Sequence, residues 1–476
     1  MGKSRRTLRD NLAFRLGRTM NEVLLRFEPD DLVALGQRVH ELSRERGLFY
    51  EDGAKRMQVI PLLLRPRILS REQLRYFQKL CHTIIEALER LYYLWSTDSE
   101  VRALLPLTPE EQSWFSHMPK GAAQAPQAIF GRLDVQVDFS DPHWDKSCHF
   151  FEANTVGAGG IHYACVADAI VLETIVAKMQ RYAPHFLVQP ADDARLLLLH
   201  TLTAHADEIG IRRLNIGFLQ DRRGAGGPEE FPSLVAFFRE RGLEAALCDP
   251  RELELRSDQL WVGDLPVDIL YRDTTIADLC GFERDGADLS ALRWAFANGR
   301  VVSSLAGEFD HKSAFEILSD PRFAAHFTAG QRKAIARHIP WTRTLREVSC
   351  SGPDGSEIDL LTFVHRNREA LVLKPNRGFG GGGIVIGPFA ELGEWDQAIE
   401  AALHEPGSTV VQQYVPSLIK DFTVLSADGR ARIEEYYVVC GFFATPDGLG
   451  ILGRASRKRV VNVAQKGALV ACMVLA

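Results

Sequence analysis

What the chain does not contain narrows its chemistry first. Its 8 cysteines, at 81, 148, 165, 248, 280, 350, 440 and 472, form no C-x-x-C pair and stand near no cluster of histidines. That scatter indicates neither a zinc site nor a disulfide framework, and it is the pattern of buried thiols in a reducing cytosol. No stretch approaches the ~20 apolar residues that cross a bilayer, and the closing ALVACMVLA has the length of a buried strand. The opening MGKSRRTLRD is basic but leads into no apolar secretion segment, and Arg6 stands where a myristoylation signal needs Ser or Thr. An excess of positive charge is missing as well, the net charge being -6, so neither nucleic acid nor an anionic membrane is the expected partner. There is no G-x-x-x-x-G-K-[ST] string and no internal repeat. These absences lead to the expectation of a soluble, cytoplasmic protein.

What is present is ordinary in bulk and unusual in a few places. Hydrophobic content of 46% and charged content of 25% are globular values, and 476 residues at about 150 per domain suggest roughly three domains. Residues 18–115 carry apolar positions at threes and fours, which predicts a helical N-terminal region over 1–115. In 116–190 the alternating IFGRLDVQVDF, the polar SDPHWDKS and the strand-like CHFFEAN predict a β-hairpin, followed by a helix in IHYACVADAIVLETIVAKM. Residues 191–280 alternate strand and helix, as in a small Rossmann-like unit. Its glycines in DRRGAGGPEE lack dinucleotide-binding spacing and read as a loop. A second α/β region fills 281–476.

The unusual stretch is LVLKPNRGFGGGGIVIG, residues 371–387, in which Lys374 precedes Gly378, Gly380, Gly381, Gly382 and Gly383. Each glycine in an ordered element costs roughly 0.5–1 kcal/mol, so such a run implies backbone that comes very close to something. Strand-like residues on both sides predict a hairpin whose tip folds over a ligand as a flap, and a flexible surface hairpin is the alternative. In the earlier hairpin, side chains two apart share a face, so Arg132 pairs with Asp134 and Glu152 with Asn154. If the strands register, two carboxylates and an amide oxygen meet, a fair oxygen set for Mg²⁺; an exposed polar face is the other reading. Lys312, at the start of a helix-like stretch, is unremarkable alone.

Together these segments resemble a family. GRLDVQVDF and HFFEAN are similar to the paired metal segments of glutathionylspermidine synthases and the wider circularly permuted (type 2) ATP-grasp proteins. LVLKPNRGFGGGGIVIG resembles their lysine and glycine-loop hairpin, FDHKSAFEILSD their upstream lysine segment and STVVQQYV their adenine-flanking strand. The metal segment precedes the nucleotide segments, as in the permuted family. The resemblance covers about residues 128–170 and 192–476.

The resemblance implies an α/β, circularly permuted ATP-grasp fold, with 191–280 as pre-ATP-grasp domain and 281–476 as nucleotide-binding domain. It implies Asp134, Glu152 and Asn154 as Mg²⁺ ligands and Arg132 as the cation on the reacting phosphoryl group. Lys312 and Lys374 are implied as phosphate contacts, the glycines named above as the flap, and Gln412, Gln413, Tyr414 and Val415 as the adenine linker. The implied activity is an ATP- and Mg²⁺-dependent carboxylate–amine ligase acting through an acyl phosphate on a small-molecule or peptide acid and an amine. A phosphotransferase and a non-catalytic ATP-binding protein are the alternatives. The string TVGAGGIHY after the metal segment and GFGGGG in the flap depart from the synthases, which speaks against glutathione and spermidine as the substrates. The basic run RASRKR, 454–459, reads either as reaching the cleft or as a solvated face.

Overall fold

Two prolines, Pro61 and Pro66, break the N-terminal helical pattern, because each removes a helix hydrogen bond and clashes with the preceding turn. In the computed structural model, which describes residues 15–51, 54–116, 128–181, 186–224, 227–378, 380–425, 430–461 and 467–476, this region is therefore not all helix. Helix α1 (Pro29–Glu45) buries Leu32, Leu35, Val39 and Leu42 at helical spacing, and strand β1 (Leu62–Leu69) follows. Helix α2 (Arg71–Thr97) starts at Ser70, whose hydroxyl accepts from Gln73 N–H in a capping box. The opening MGKSRRTLRD, Gly226 and the glycine-rich tip residue Phe379 lie outside the described residues.

The expected hairpin is β2 (Arg132–Gln136) with β3 (His149–Asn154), followed by helix α3 (Ile161–Val171). Helix α4 (Ala194–Glu208), β4 (Ile216–Leu219), α5 (Phe231–Arg239), β5 (Ala245–Cys248), β6 (Ile269–Arg272) and β7 (Val301–Val302) make the strand–helix alternation. Their strands form a four-stranded parallel sheet, β7-β6-β4-β5, the buried type with helical crossovers. Strands β8 (Thr342–Thr344), β9 (Leu371–Pro375), β10 (Val385–Ile386) and β11 (Thr409–Gln413) form an antiparallel sheet in the order β8-β11-β9-β10. Helix α6 (Leu392–His404) precedes β11.

The largest layer is an eight-stranded sheet. Strands β12 (Leu418–Leu425), β13 (Ala431–Thr445), β14 (Gly448–Ser456) and β15 (Ala468–Leu475) complete it, in the order β1-β15-β14-β13-β2-β3 with β12 also on β13 and Val188–Pro190 on β15. The apolar run of β15 is buried, as its composition predicts. Successive residues of β13 face opposite sides: Phe442 meets Phe77 of α2, while Phe443 stacks on Phe130. All eight cysteines are free, and only Cys165 and Cys350 are partly exposed. Among the described residues no helix is long and apolar enough to cross a membrane.

Two buried charges knit the parallel unit to its neighbours. Glu230, before α5, accepts from the backbone N–H groups of Gly160 and His162 at the start of α3, and burial pushes its carboxyl up to about 7. Arg272 ends β6 fully buried; it donates to Ser303 O at 2.7 Å, Thr274 O at 2.7 Å and Ser304 O at 2.9 Å, and pairs with Glu308. Removing one member of such a pair strands the other charge. Arg272→Met is therefore expected to cost about 3–5 kcal/mol in urea unfolding, and Arg272→Met with Glu308→Leu to recover much of that loss.

Candidate functional site

Strands β2 and β3 pair with Arg132 opposite Asn154 and Asp134 opposite Glu152, so the four polar side chains share one face. Arg132 donates from Nε to Asp134 Oδ1 at 2.6 Å and from Nη2 to Oδ2 at 3.2 Å. A second guanidinium, that of Arg454 on β14, reaches Asp134 Oδ2 at 2.8 Å. Burial favours the neutral acid, but the two arginines override it and hold the Asp134 carboxyl below its ordinary value. The stem of Arg132 lies across β13 at Gly441, where an added Cβ would stand 2.3 Å from Arg132 Cδ. Only glycine leaves room for the arginine there.

Lys374 enters from β9 and is 7% exposed. Its ammonium donates to Gln412 Oε1 at 2.7 Å and to Phe151 O at 3.3 Å, and Gln412 Nε2 donates in turn to Thr342 Oγ1 at 3.0 Å. Phe151 offers its carbonyl where the β2–β3 register slips after Asp134, a bulge of the kind that re-aims groups beside functional sites. Burial lowers the Lys374 ammonium to about 8; Glu152 opposes that shift and Lys312 adds to it. Lys312 bridges Glu152 Oε1, at 3.3 Å, and Gly378 O, at 2.9 Å. Its segment is docked on the glycine hairpin by Lys312 N–H to Asn376 O at 3.0 Å and Ser313 N–H to Asn376 Oδ1 at 2.8 Å.

The hairpin tip needs its glycines. Gly380, Gly381 and Gly383 have φ of 79°, 73° and 69°, a region closed to most side chains, whereas Gly382 stands in open space. The resulting cleft, open to solvent, lies between the β2–β3–β13 face and the β9–β11 sheet. Arg132, Asp134, Glu152, Asn154 and Lys374 line it; so do Gly380, Gly381, Gln412, Tyr414 and Val415. Lys312 and Gly378 adjoin it through Glu152 and each other. Gly382 and Gly383 sit at the tip, and Gln413 is exposed, since it follows the buried Gln412 on a strand.

Sequence reasoning did not single out Gly441 or Phe151, and it named Arg454 and Arg459 only as part of a basic run. Arg454 lines the cleft, and Arg459 stands at it with its guanidinium 3.7 Å from the centroid of the Phe389 ring. Strand alternation would have found Arg454 once its partner was known: it pairs with Val439, two residues from Gly441, and Gly441 is opposite Asp134.

No group of three or more His, Cys, Asp or Glu able to hold a metal occurs among the described residues. The donors here are two carboxylates and an amide, which suit a hard cation such as Mg²⁺. Asn154 is buried and its Nδ2 has no hydrogen-bond partner, so nothing fixes the amide against turning its oxygen to a cation. The set fits such an ion.

Two outcomes are expected of the protein without ligand. Because burial brings the folded Lys374 down to about 8 from the ordinary lysine value of 10.5, the unfolded chain binds more protons between those pH values, and stability rises with pH across that window. Lys374→Met is expected to remove this rise and to stabilise the fold at pH 7 by about 3 kcal/mol, at ~1.36 kcal/mol per pH unit, in urea titrations at pH 7 and 10. Gly441→Ala is expected to displace Arg132 and cost about 1–3 kcal/mol, as overpacking does, by the same measurement.

No family model matches the chain. An uncharacterized protein of Mycobacterium leprae (strain TN) is 26% identical over an alignment of 252 positions that covers 49% of this chain and 41% of that protein. The chain thus spans less than half the length of that relative. Among solved structures, a glutathione synthetase-like effector from Globodera pallida, in apo form, superposes with a TM-score of 0.63 at 11% identity, covering 94% of this chain and 98% of its own. D-alanyl-alanine synthetase A of Vibrio cholerae O1 biovar eltor aligns over 51% of this chain and 88% of its own at 12% identity and a TM-score of 0.26, too slight to carry an argument. The mixed α/β architecture and the first of these superpositions are those of the ATP-grasp fold.

Proposed function

We propose that the chain is an ATP- and Mg²⁺-dependent carboxylate–amine ligase, which makes a peptide or amide bond through an acyl phosphate and releases ADP. One observation carries the reading: a buried Lys374 ammonium, hydrogen-bonded only to neutral oxygens, faces the Asp134–Glu152–Asn154 set beneath a glycine hairpin. A buried cation without a carboxylate against it is costly unless an anion comes to it. We read the fold as circularly permuted, since the metal segment precedes the nucleotide segments along the chain.

In this reading Lys374 and Lys312 neutralise the nucleotide phosphates, and N–H groups of the left-handed glycine backbone cover them. Gln412, Tyr414 and Val415 flank the base, and Gln413 between them faces outward. Asp134, Glu152 and Asn154 hold Mg²⁺, which when bound neutralises phosphate charge and orients the transferred group. The substrate carboxylate attacks the γ-phosphorus and ADP leaves; the amine then adds to the acyl carbon, and phosphate departs as the nitrogen loses its proton. Arg132 stabilises the charge that builds at both steps. Such chemistry runs largely on positioning and charge and requires no nucleophilic Ser or Cys. The partners are a small-molecule or peptide acid and an amine; no nucleic acid or membrane is among them.

The test is ADP release that requires an acid, with hydroxylamine in place of the amine capturing the acyl group as a hydroxamate. Release on an alcohol acceptor without hydroxamate would mark a phosphotransferase, and tight Mg-ATP binding without ADP across a broad acid and amine panel a non-catalytic binder. ATP affinity is also expected to fall as pH rises through about 8, where Lys374 loses its proton. In Lys374→Met that dependence should vanish and affinity drop at least about tenfold, by calorimetry from pH 6.5 to 9.5.

A further inference from the structure

The basic run at 454–459 contributes a residue whose placement conflicts with a metal at Asp134. Arg454 Nη2 stands 2.8 Å from Asp134 Oδ2, and Arg132 takes Oδ1 at 2.6 Å. Both oxygens of the carboxylate are thus occupied by guanidinium groups. Glu152, opposite Asp134, is held by Lys312 at 3.3 Å. With Arg459 at the same cleft, five cations, Arg132, Arg454, Arg459, Lys312 and Lys374, face two carboxylates, so the region is net positive.

A divalent cation arriving alone meets net repulsion and no free carboxylate oxygen on Asp134. Arriving with the phosphates of a nucleotide, it meets the opposite field. Arg454 is also the less firmly held of the two arginines: its buried Nε has no hydrogen-bond partner, whereas Arg132 makes two contacts to Asp134 and one to Gly159 O. When an anion offers it a better partner, Arg454 is the arginine that leaves.

We propose that Arg454 is a charge gate: without nucleotide its guanidinium occupies the Asp134 oxygen that the metal needs, so the divalent cation binds only with or after the nucleotide. The proposal rests on the ligase reading for the identity of metal and nucleotide. It makes Arg454 a positioning residue, acting through Asp134, and goes beyond the assignment of the ligands.

The experiment titrates Mn²⁺ into the full chain and follows the free-ion electron paramagnetic resonance signal, with and without ADP. Wild type is expected to bind Mn²⁺ at least about tenfold more tightly with ADP than without it, the scale of removing one unit charge a few ångströms from a divalent ion at intermediate dielectric. Arg454→Gln is expected to bind Mn²⁺ without ADP at least about tenfold more tightly than wild type, with a smaller gain on adding ADP. Arg454→Lys, which keeps the charge on a shorter reach, should fall between the two. Should the glutamine variant not fold, the lysine variant carries the test, with an expected rise in nucleotide-free binding of at least about threefold.

Equal nucleotide-free affinity in wild type and variants overturns the gate alone, as does a wild type that binds Mn²⁺ equally well with and without ADP. A wild type that binds ADP but takes up no Mn²⁺ overturns the metal assignment and the gate together.

Discussion

A buried ammonium with only neutral oxygens in reach sets the terms for everything around it. Lys374 sits in a cleft wall, 7% exposed, answered by one amide oxygen and one backbone carbonyl. A core built for stability alone would replace it with an apolar side chain of similar volume. The neighbouring groups are arranged to keep it in place: Thr342 orients Gln412, the bulge aims the Phe151 carbonyl, and Glu152 offsets part of the burial cost. The fold is thus held below its best stability at one position, and that position lies in the wall of the cleft.

The carboxylates opposite solve a related problem. Asp134 and Glu152 are cross-strand neighbours, and two ionised acids at that spacing repel unless cations intervene. Here the protein supplies the cations itself, two arginines on one acid and a lysine on the other. Gly441 is part of that solution although it carries no charge, since the Arg132 stem fills the space a side chain would take. The charges reach the cleft from four distant parts of the chain, through β2–β3, the segment at Lys312, β9 and β14.

Much of this was legible in the sequence because it depends on short-range periodicity. Alternation within GRLD and FEAN is enough to put Arg132, Asp134, Glu152 and Asn154 on one face once the strands register, and the glycine run with flanking strands foretells the hairpin. Arg454 was not legible as a site residue, because its position depends on the order β14-β13-β2, which joins segments some 300 residues apart. The same period of two that places Gln412 in the cleft turns Gln413 outward, so a contiguous four-residue linker overstates what one strand can present. Strand β1 falls in the stretch expected to be helical because the segments on either side of it carry apolar residues at threes and fours. Within that stretch only the two prolines argue against a helix.

The pairing of β1 with β15 carries a consequence for how the chain is made. Leu62 to Leu69 lies parallel to a strand that begins some 400 residues later, with Leu62 beside Leu469 and Leu69 beside Val474. Until residues 468–475 leave the ribosome, β1 has no partner along that edge, while β14 awaits the same strand on its other side. An apolar edge held open while some 400 residues are made invites pairing with other chains. The emergence of residues 468–475, rather than any earlier collapse, closes the sheet on which Asp134 and Arg454 meet.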